Sequence, residues 1–171
     1  MVLGKSFSWT LETADDVAEN IEGELLNTPV RRLEGISYWV IEDPDGIHDF
    51  INTEIRKELE ADARSEHKDP KDDPWLKTLA RRKWHLEMMD MNEIKLDPDI
   101  MNYVDAERGY VFSKSLEKRS AELGQSIKLG SVVLSPLIVR NEDTELVDGY
   151  CRYATLKDMR ASRIYTYIGS L

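Results

Sequence analysis

The stretch Pro136-Leu-Ile-Val-Arg-Asn-Glu-Asp-Thr-Glu-Leu-Val-Asp-Gly-Tyr-Cys-Arg-Tyr-Ala-Thr-Leu, ending at Leu156, decides how the chain is read. Leu137 to Val139 is an apolar, β-favouring run and predicts a strand. Asn141 to Thr144 is a polar turn, and Glu145 to Val147 predicts a second strand. Gly149 releases the backbone for a sharp change of direction. From Tyr150 onward the residues suit a helix, with Cys151, Ala154 and Thr155 on one face. The first N–H groups of such a helix have no partner inside it, and the peptide dipoles leave partial positive charge there. Arg152 adds a forked donor with a full charge. Glycine turn, helix start and arginine together suit a phosphate group. The plain alternative is a glycine that only makes the turn, with the arginine paired to Asp148 or Asp158.

Working outward, 171 residues suffice for one good core, or for one domain with a substantial extension. A hydrophobic content of 41% with 33% charged residues marks a globular chain. There is no apolar run near 18 residues, and the opening Met1-Val-Leu-Gly-Lys-Ser-Phe-Ser-Trp lacks the apolar core of a signal peptide. One cysteine, Cys151, cannot form an internal disulfide, so a reducing cytoplasm is the expected compartment. The formal net charge of −10 is unevenly spread. Ser113 to Leu171 holds 9 basic and 7 acidic residues, which leaves 14 basic and 26 acidic residues before it. That acidic region repels nucleic acid, whereas a small anion in a local cationic pocket remains compatible with the sequence.

Thr13 to Leu26 predicts a capped helix with Val17, Ile21 and Leu25 along one side. Gly35-Ile-Ser-Tyr-Trp-Val-Ile predicts a strand, and Glu42-Asp-Pro-Asp-Gly a turn. Ile47 to about Ser65 predicts a helix with an apolar stripe through Phe50, Ile51, Ile55 and Leu59. The charged, proline-containing segment from Glu66 to Pro74 reads as a linker. Asp73 to Lys83 reads as a short helix with Pro74 at its first position, ending in the basic triplet Arg81-Arg82-Lys83. Cations at a helix C-terminus are the simple reading of that triplet, and phosphate contact is the other. Trp84 to Met91 looks extended, with Asn92 to Leu96 as a continuation. Asp97 to Gly109 reads as an irregular acidic loop holding Asp97, Asp99, Asp105 and Glu107. A helix is expected from about Ser113 to Leu129, ended by Gly130, and a final strand from Arg163 to Ile168. The histidines His48, His67 and His85 are scattered, and no metal-binding spacing is present.

From about Leu86 the order is strand, acidic loop, helix, strand, strand, glycine turn, helix, strand. Three pieces carry a resemblance. Met91-Asn-Glu-Ile-Lys-Leu-Asp-Pro looks like the opening strand and loop of ParB-type domains. Leu123-Gly-Gln-Ser-Ile-Lys-Leu-Gly-Ser followed by Pro136-Leu-Ile-Val is similar to a second segment of those domains. Leu146-Val-Asp-Gly-Tyr-Cys-Arg-Tyr-Ala resembles their nucleotide-phosphate turn. The chain thus resembles the ParB/sulfiredoxin superfamily over residues 84 to 170. Gly149 and Arg152 match the G-E-R-R of partition proteins, with Tyr150 and Cys151 between them. Arg152-Tyr153-Ala154 matches sulfiredoxins, but Cys151 falls where their histidine sits. Asp148, Gly149 and Arg152 match the D-G-H-H-R of the free-serine kinase branch.

The resemblance implies an α+β fold, a small mixed sheet with flanking helices, in residues 84–171. Residues 1–83 would form an α-rich extension with one strand and offer a homodimer surface through their helices. It also implies a nucleotide triphosphate, ATP with Mg²⁺, at Asp148, Gly149, Tyr150, Cys151 and Arg152, with Ser126 touching the nucleotide and Asp148 holding the metal. Phosphoryl transfer to a small hydroxylated acceptor would then need a base, for which Glu107 and its alternative Asp105 are placed. The competing expectations are a non-catalytic ParB-like nucleotide sensor or partner-binding module, and a ParB-like nuclease. A nuclease needs a basic groove, and only Arg81-Arg82-Lys83 offers one.

Overall fold

A computed structural model describes residues 30–56, 78–130 and 132–171. The helix expected over Thr13 to Leu26, the linker from Glu66 to Pro74, and most of the short helix after it lie outside the described residues. Strands β1 (Val30–Leu33) and β2 (Ile36–Trp39) form an antiparallel hairpin. Helix α1 (Pro44–Phe50) follows, with the Asp43 carboxylate accepting from the Gly46 N–H and Pro44 at its first turn. It runs on as a π-helical turn over Ile51–Ile55. The segment expected to be a turn is therefore a cap: its proline and aspartates start the helix rather than precede it.

Strand β3 (Lys83–Asp90) leads into a 3-10 turn at Met91–Glu93 and the short helix α2 (Pro98–Met101). A two-residue ribbon, β4 (Val104–Asp105) with β5 (Tyr110–Val111), precedes helix α3 (Phe112–Lys128). Strands β6 (Leu137–Arg140) and β7 (Glu145–Asp148), helix α4 (Tyr150–Asp158) and strand β8 (Arg163–Ser170) complete the chain. The segment expected to be irregular thus holds a helical turn and a ribbon. The expected continuation of β3 over Asn92 to Leu96 is instead a turn followed by one parallel bridge from Lys95 to Glu145.

The main sheet has the order β3-β8-β6-β7. Strand β8 is antiparallel to β3 over eight pairs, from Lys83 opposite Ser170 to Asp90 opposite Arg163, and parallel to β6. The α+β class, with a small mixed sheet and flanking helices, is as expected. Strand β8 departs from simple alternation. Ile164 through Gly169 are all buried, because both faces of the strand are covered. On one face Tyr165 meets Tyr38 edge to face at 5.2 Å, and Tyr167 meets Phe50 at 6.3 Å. Gly169 lies under the Trp84 indole, where an added Cβ would stand 2.6 Å from Cζ3, so only glycine admits that ring.

These contacts bear on domain organisation. The boundary expected between residues 83 and 84 falls at the foot of β3, yet the described residues on both sides share one core. The Trp39 N–H donates to the Leu134 carbonyl at 3.0 Å, the Leu134 N–H donates to Ser37 at 2.9 Å, and the Ile41 N–H donates to the Tyr167 hydroxyl at 3.0 Å. Arg82 is buried and clamps the same seam: it donates to both Glu142 carboxylate oxygens, at 2.7 and 3.1 Å, and to the Gly169 carbonyl at 2.9 Å. The basic triplet is therefore split by burial, with Arg82 inside and Arg81 and Lys83 exposed.

Candidate functional site

The turn between β7 and α4 is built on Gly149, whose φ of 107° lies in the left-handed region. Space imposes glycine as well. An added Cβ would come 2.5 Å from Leu137 Cδ2 and 2.7 Å from Arg152 Nη2. The Arg152 guanidinium thus folds back beneath the turn. Only 1% of Arg152 is exposed. Its Nη1 donates to the Ser135 carbonyl at 3.0 Å and to the Pro136 carbonyl at 3.3 Å, and its Nη2 stands 3.8 Å from Asp148 Oδ2. Burial pulls its pKa down from the usual arginine range, and the Asp148 carboxylate opposes that. The expected phosphate ligand is a core side chain that holds the entry of β6 against the start of α4.

Tyr150 is buried too. Its hydroxyl donates to the Leu146 carbonyl and accepts from the Asp97 N–H, both at 3.0 Å. Burial raises its pKa well above the ordinary phenol value. Phe112, the first residue of α3, meets the Tyr150 ring edge to face at 5.9 Å. Cys151 is 2% exposed, and burial pushes its thiol up, so its thiolate is disfavoured. Thr155 ties α4 to α3 by donating to the Cys151 and Ser120 carbonyls at 2.7 and 3.2 Å. Tyr150 and Cys151, expected to pack or to line a pocket, are packed, because α4 is buried along most of its length.

Ser126 lies near the end of α3, where its hydroxyl donates to Glu122 of the same helix at 3.1 Å. Glu107 is exposed in the turn of the β4–β5 ribbon. Asp105 is turned to that same turn, accepting from the Arg108 N–H at 3.3 Å with the Arg108 side chain 3.6 Å away. Charges of both signs lie near the start of α4: the Arg119 guanidinium acts on the Cys151 thiol, and Arg140 opposes the carboxylates gathered near Glu145. Glu145 has its pKa raised by burial first, and then by the nearby carboxylates Asp97, Asp143 and Asp99. No group of three or more histidine, cysteine, aspartate or glutamate side chains with metal-binding geometry occurs among the described residues. A triphosphate with Mg²⁺ fits this arrangement poorly, since the Arg152 guanidinium is turned inward beside Asp148.

Sequence reasoning missed the residues that organise this region. Tyr38, Ser135 and Tyr167 surround Arg152 from other elements, and no local motif marks them. Arg82 was visible only as one of three adjacent cations. No protein-family model matches the chain, and no curated protein matches it. Two solved structures of pNOB8-like ParB N-domains are similar to it. One is 16% identical, covering 53% of this chain and 31% of that one with a TM-score of 0.35. The other is 20% identical, covering 53% and 29% with a TM-score of 0.34. This chain therefore matches less than a third of the length of either. The likeness to each covers about half of this chain.

Proposed function

We propose that this chain is a ParB-like binding module that does not transfer phosphoryl groups at the Gly149 turn. The observation that supports this most is the inward guanidinium of Arg152, held by the Ser135 and Pro136 carbonyls beside Asp148. Phosphoryl transfer depends on cations aimed at the transferring group, and here the cation faces the core. The formal charge of −10 favours a basic protein surface over a nucleic acid as partner.

One experiment decides between this reading and its rival, the ATP- and Mg²⁺-dependent phosphotransferase with a small hydroxylated acceptor and Glu107 or Asp105 as base. Thermal unfolding is followed with ATP, ADP and CTP, each with Mg²⁺, beside incubation of labelled ATP with a panel of hydroxylated metabolites. A nucleotide at 100 times its Kd would add about 2.7 kcal/mol and raise the midpoint by several degrees. The expected result is no shift and no labelled product. A product that disappears in Glu107→Ala would overturn the proposal and restore the phosphotransferase.

A further inference from the structure

We propose that β3 seats a two-fold homodimer, in which its outer edge pairs antiparallel with the same edge of a second copy. Strand β3 ends the sheet order β3-β8-β6-β7, and among the described residues no backbone group pairs with its outer side. The other end of the sheet is covered: beside β7, the Lys95 backbone bonds to Thr144 and Leu146 at 2.9 and 2.8 Å. Which groups of β3 face outward follows from the register. Met91, just past the strand, donates its N–H to the Ser162 carbonyl at 2.9 Å. The Gly169 carbonyl, opposite Trp84, is turned away to the Asn141 N–H at 3.1 Å. An antiparallel pair alternates, so Trp84, Leu86, Met88 and Asp90 turn their N–H and C=O away from β8. A strand of eight residues with such an edge is a template for another strand.

The side chains fit a second copy of the same strand. With Leu86 facing its own copy on the two-fold axis, Trp84 faces Met88 of the second copy, and these residues supply the outward backbone groups. His85 then faces Glu87 of the second copy, and Glu87 faces its His85. These are the non-hydrogen-bonded positions, where facing side chains come nearest. Both side chains are half exposed, and within one copy they already meet at 2.9 Å. Pairing extends that contact into a row of alternating imidazoles and carboxylates. On the opposite face Trp84 is 3% exposed and Met88 47% exposed, so each bare Met88 comes beside the covered end of the other strand. Sliding one strand by two residues sets Glu87 against Glu87 in one direction and His85 against His85 in the other. The alternation thus selects a second copy, in one register, over an unrelated strand. The dimer stands whatever partner the module binds.

Sedimentation of the full chain from roughly 1 μM to 1 mM is expected to show a dimer with a Kd on the order of 10–100 μM, as for an interface of one strand pair. Amide exchange locates it. The Leu86 and Met88 N–H groups are expected to exchange about five-fold or more slowly at the upper concentration, because only the dimer pairs them. Glu87→Lys acts at two symmetric places and is expected to weaken the dimer about ten-fold. The thermal midpoint of the dilute variant should stay within about 2 °C. Exchanging the pair in one chain, His85→Glu with Glu87→His, is expected to restore the dimer. A chain that stays monomeric throughout overturns the proposal. So does a dimer whose Leu86 and Met88 amides exchange at the monomer's rate, as an interface through the N-terminal helices would give. A dimer that Glu87→Lys leaves intact, or that the double exchange fails to recover, overturns it as well.

Discussion

The two turns that flank β7 both carry an arginine and an aspartate, and they differ in where the charge goes. At the turn after β6, Arg140 donates to both Asp143 oxygens at 2.9 and 2.5 Å, with Glu142 and Glu145 within 3.8 Å. These groups are partly exposed, and Arg140 is answered by carboxylates within five residues of it, of which Glu142 also accepts from the buried Arg82. The turn after β7 has its arginine in the core, answered mainly by backbone carbonyls 16 and 17 residues earlier in the chain. An arginine beside a glycine turn is therefore not a ligand by its place in sequence. Its role is set by whether distant backbone offers acceptors that water would otherwise have to supply.

The comparison is sharpest at Gly149. Replacing it by alanine forces a Cβ into Leu137 and Arg152 at a left-handed backbone position. A loss of about 3 kcal/mol is expected from strain and overpacking together, read by urea unfolding. The same loss is not expected from substitutions in the exposed turn after β6, such as Asn141→Ala, which should fall within about 0.5 kcal/mol. Equal costs at the two turns would erase the distinction.

Arg82→Ala tests whether a second buried arginine also acts as a structural clamp. Removing its bonds to Glu142 and Gly169 is expected to cost about 2 kcal/mol, and Arg82→Lys should recover little because the paired fork is lost. Full recovery by lysine would mean that charge alone matters there.

The smallest effects concern acid stability and have opposite signs. Glu34, in the β1–β2 turn, accepts from the Ser162 N–H and hydroxyl at 2.7 and 2.6 Å, and these bonds lower its pKa. Its contribution is present above the ordinary value of 4.5 and is lost as pH falls through the lowered one. Glu145 has a raised pKa, so its penalty is absent below 4.5 and grows as pH rises through the raised value. Glu34→Gln should therefore flatten the acid limb of the stability curve, while Glu145→Gln should raise stability near neutral pH. The reverse signs would place the acidic field elsewhere.

The sequence disclosed those features whose causes are local. Strands β6, β7 and β8 and helices α3 and α4 follow from apolar runs, a polar turn and two glycines, and they lie within a residue or two of the expected bounds. Strand β1 was not legible, because Val30-Arg31-Arg32-Leu33 becomes a strand only through its pairing with β2. The ribbon β4–β5 and helix α2 are too short for any periodicity to register. The pairing of Arg152 with Asp148 was one of two readings open at the turn, whereas its backbone acceptors were beyond reach for the same reason as the role of Tyr38. Both depend on Ser135 and Leu134 arriving beside them from elsewhere in the chain. The motif at Asp148 to Ala154 was visible, whereas the direction of its charged side chain was a property of the tertiary structure.

The central claim is that Arg152 serves the core and not a phosphate. Its most direct test is Arg152→Ala measured by chemical denaturation, alongside calorimetric titration of the unmodified protein with ATP and Mg²⁺. The account predicts a stability loss of about 3–5 kcal/mol, as for a broken buried ion pair, and no binding heat in the unmodified protein. A variant that keeps its stability but abolishes a measurable nucleotide affinity would contradict it.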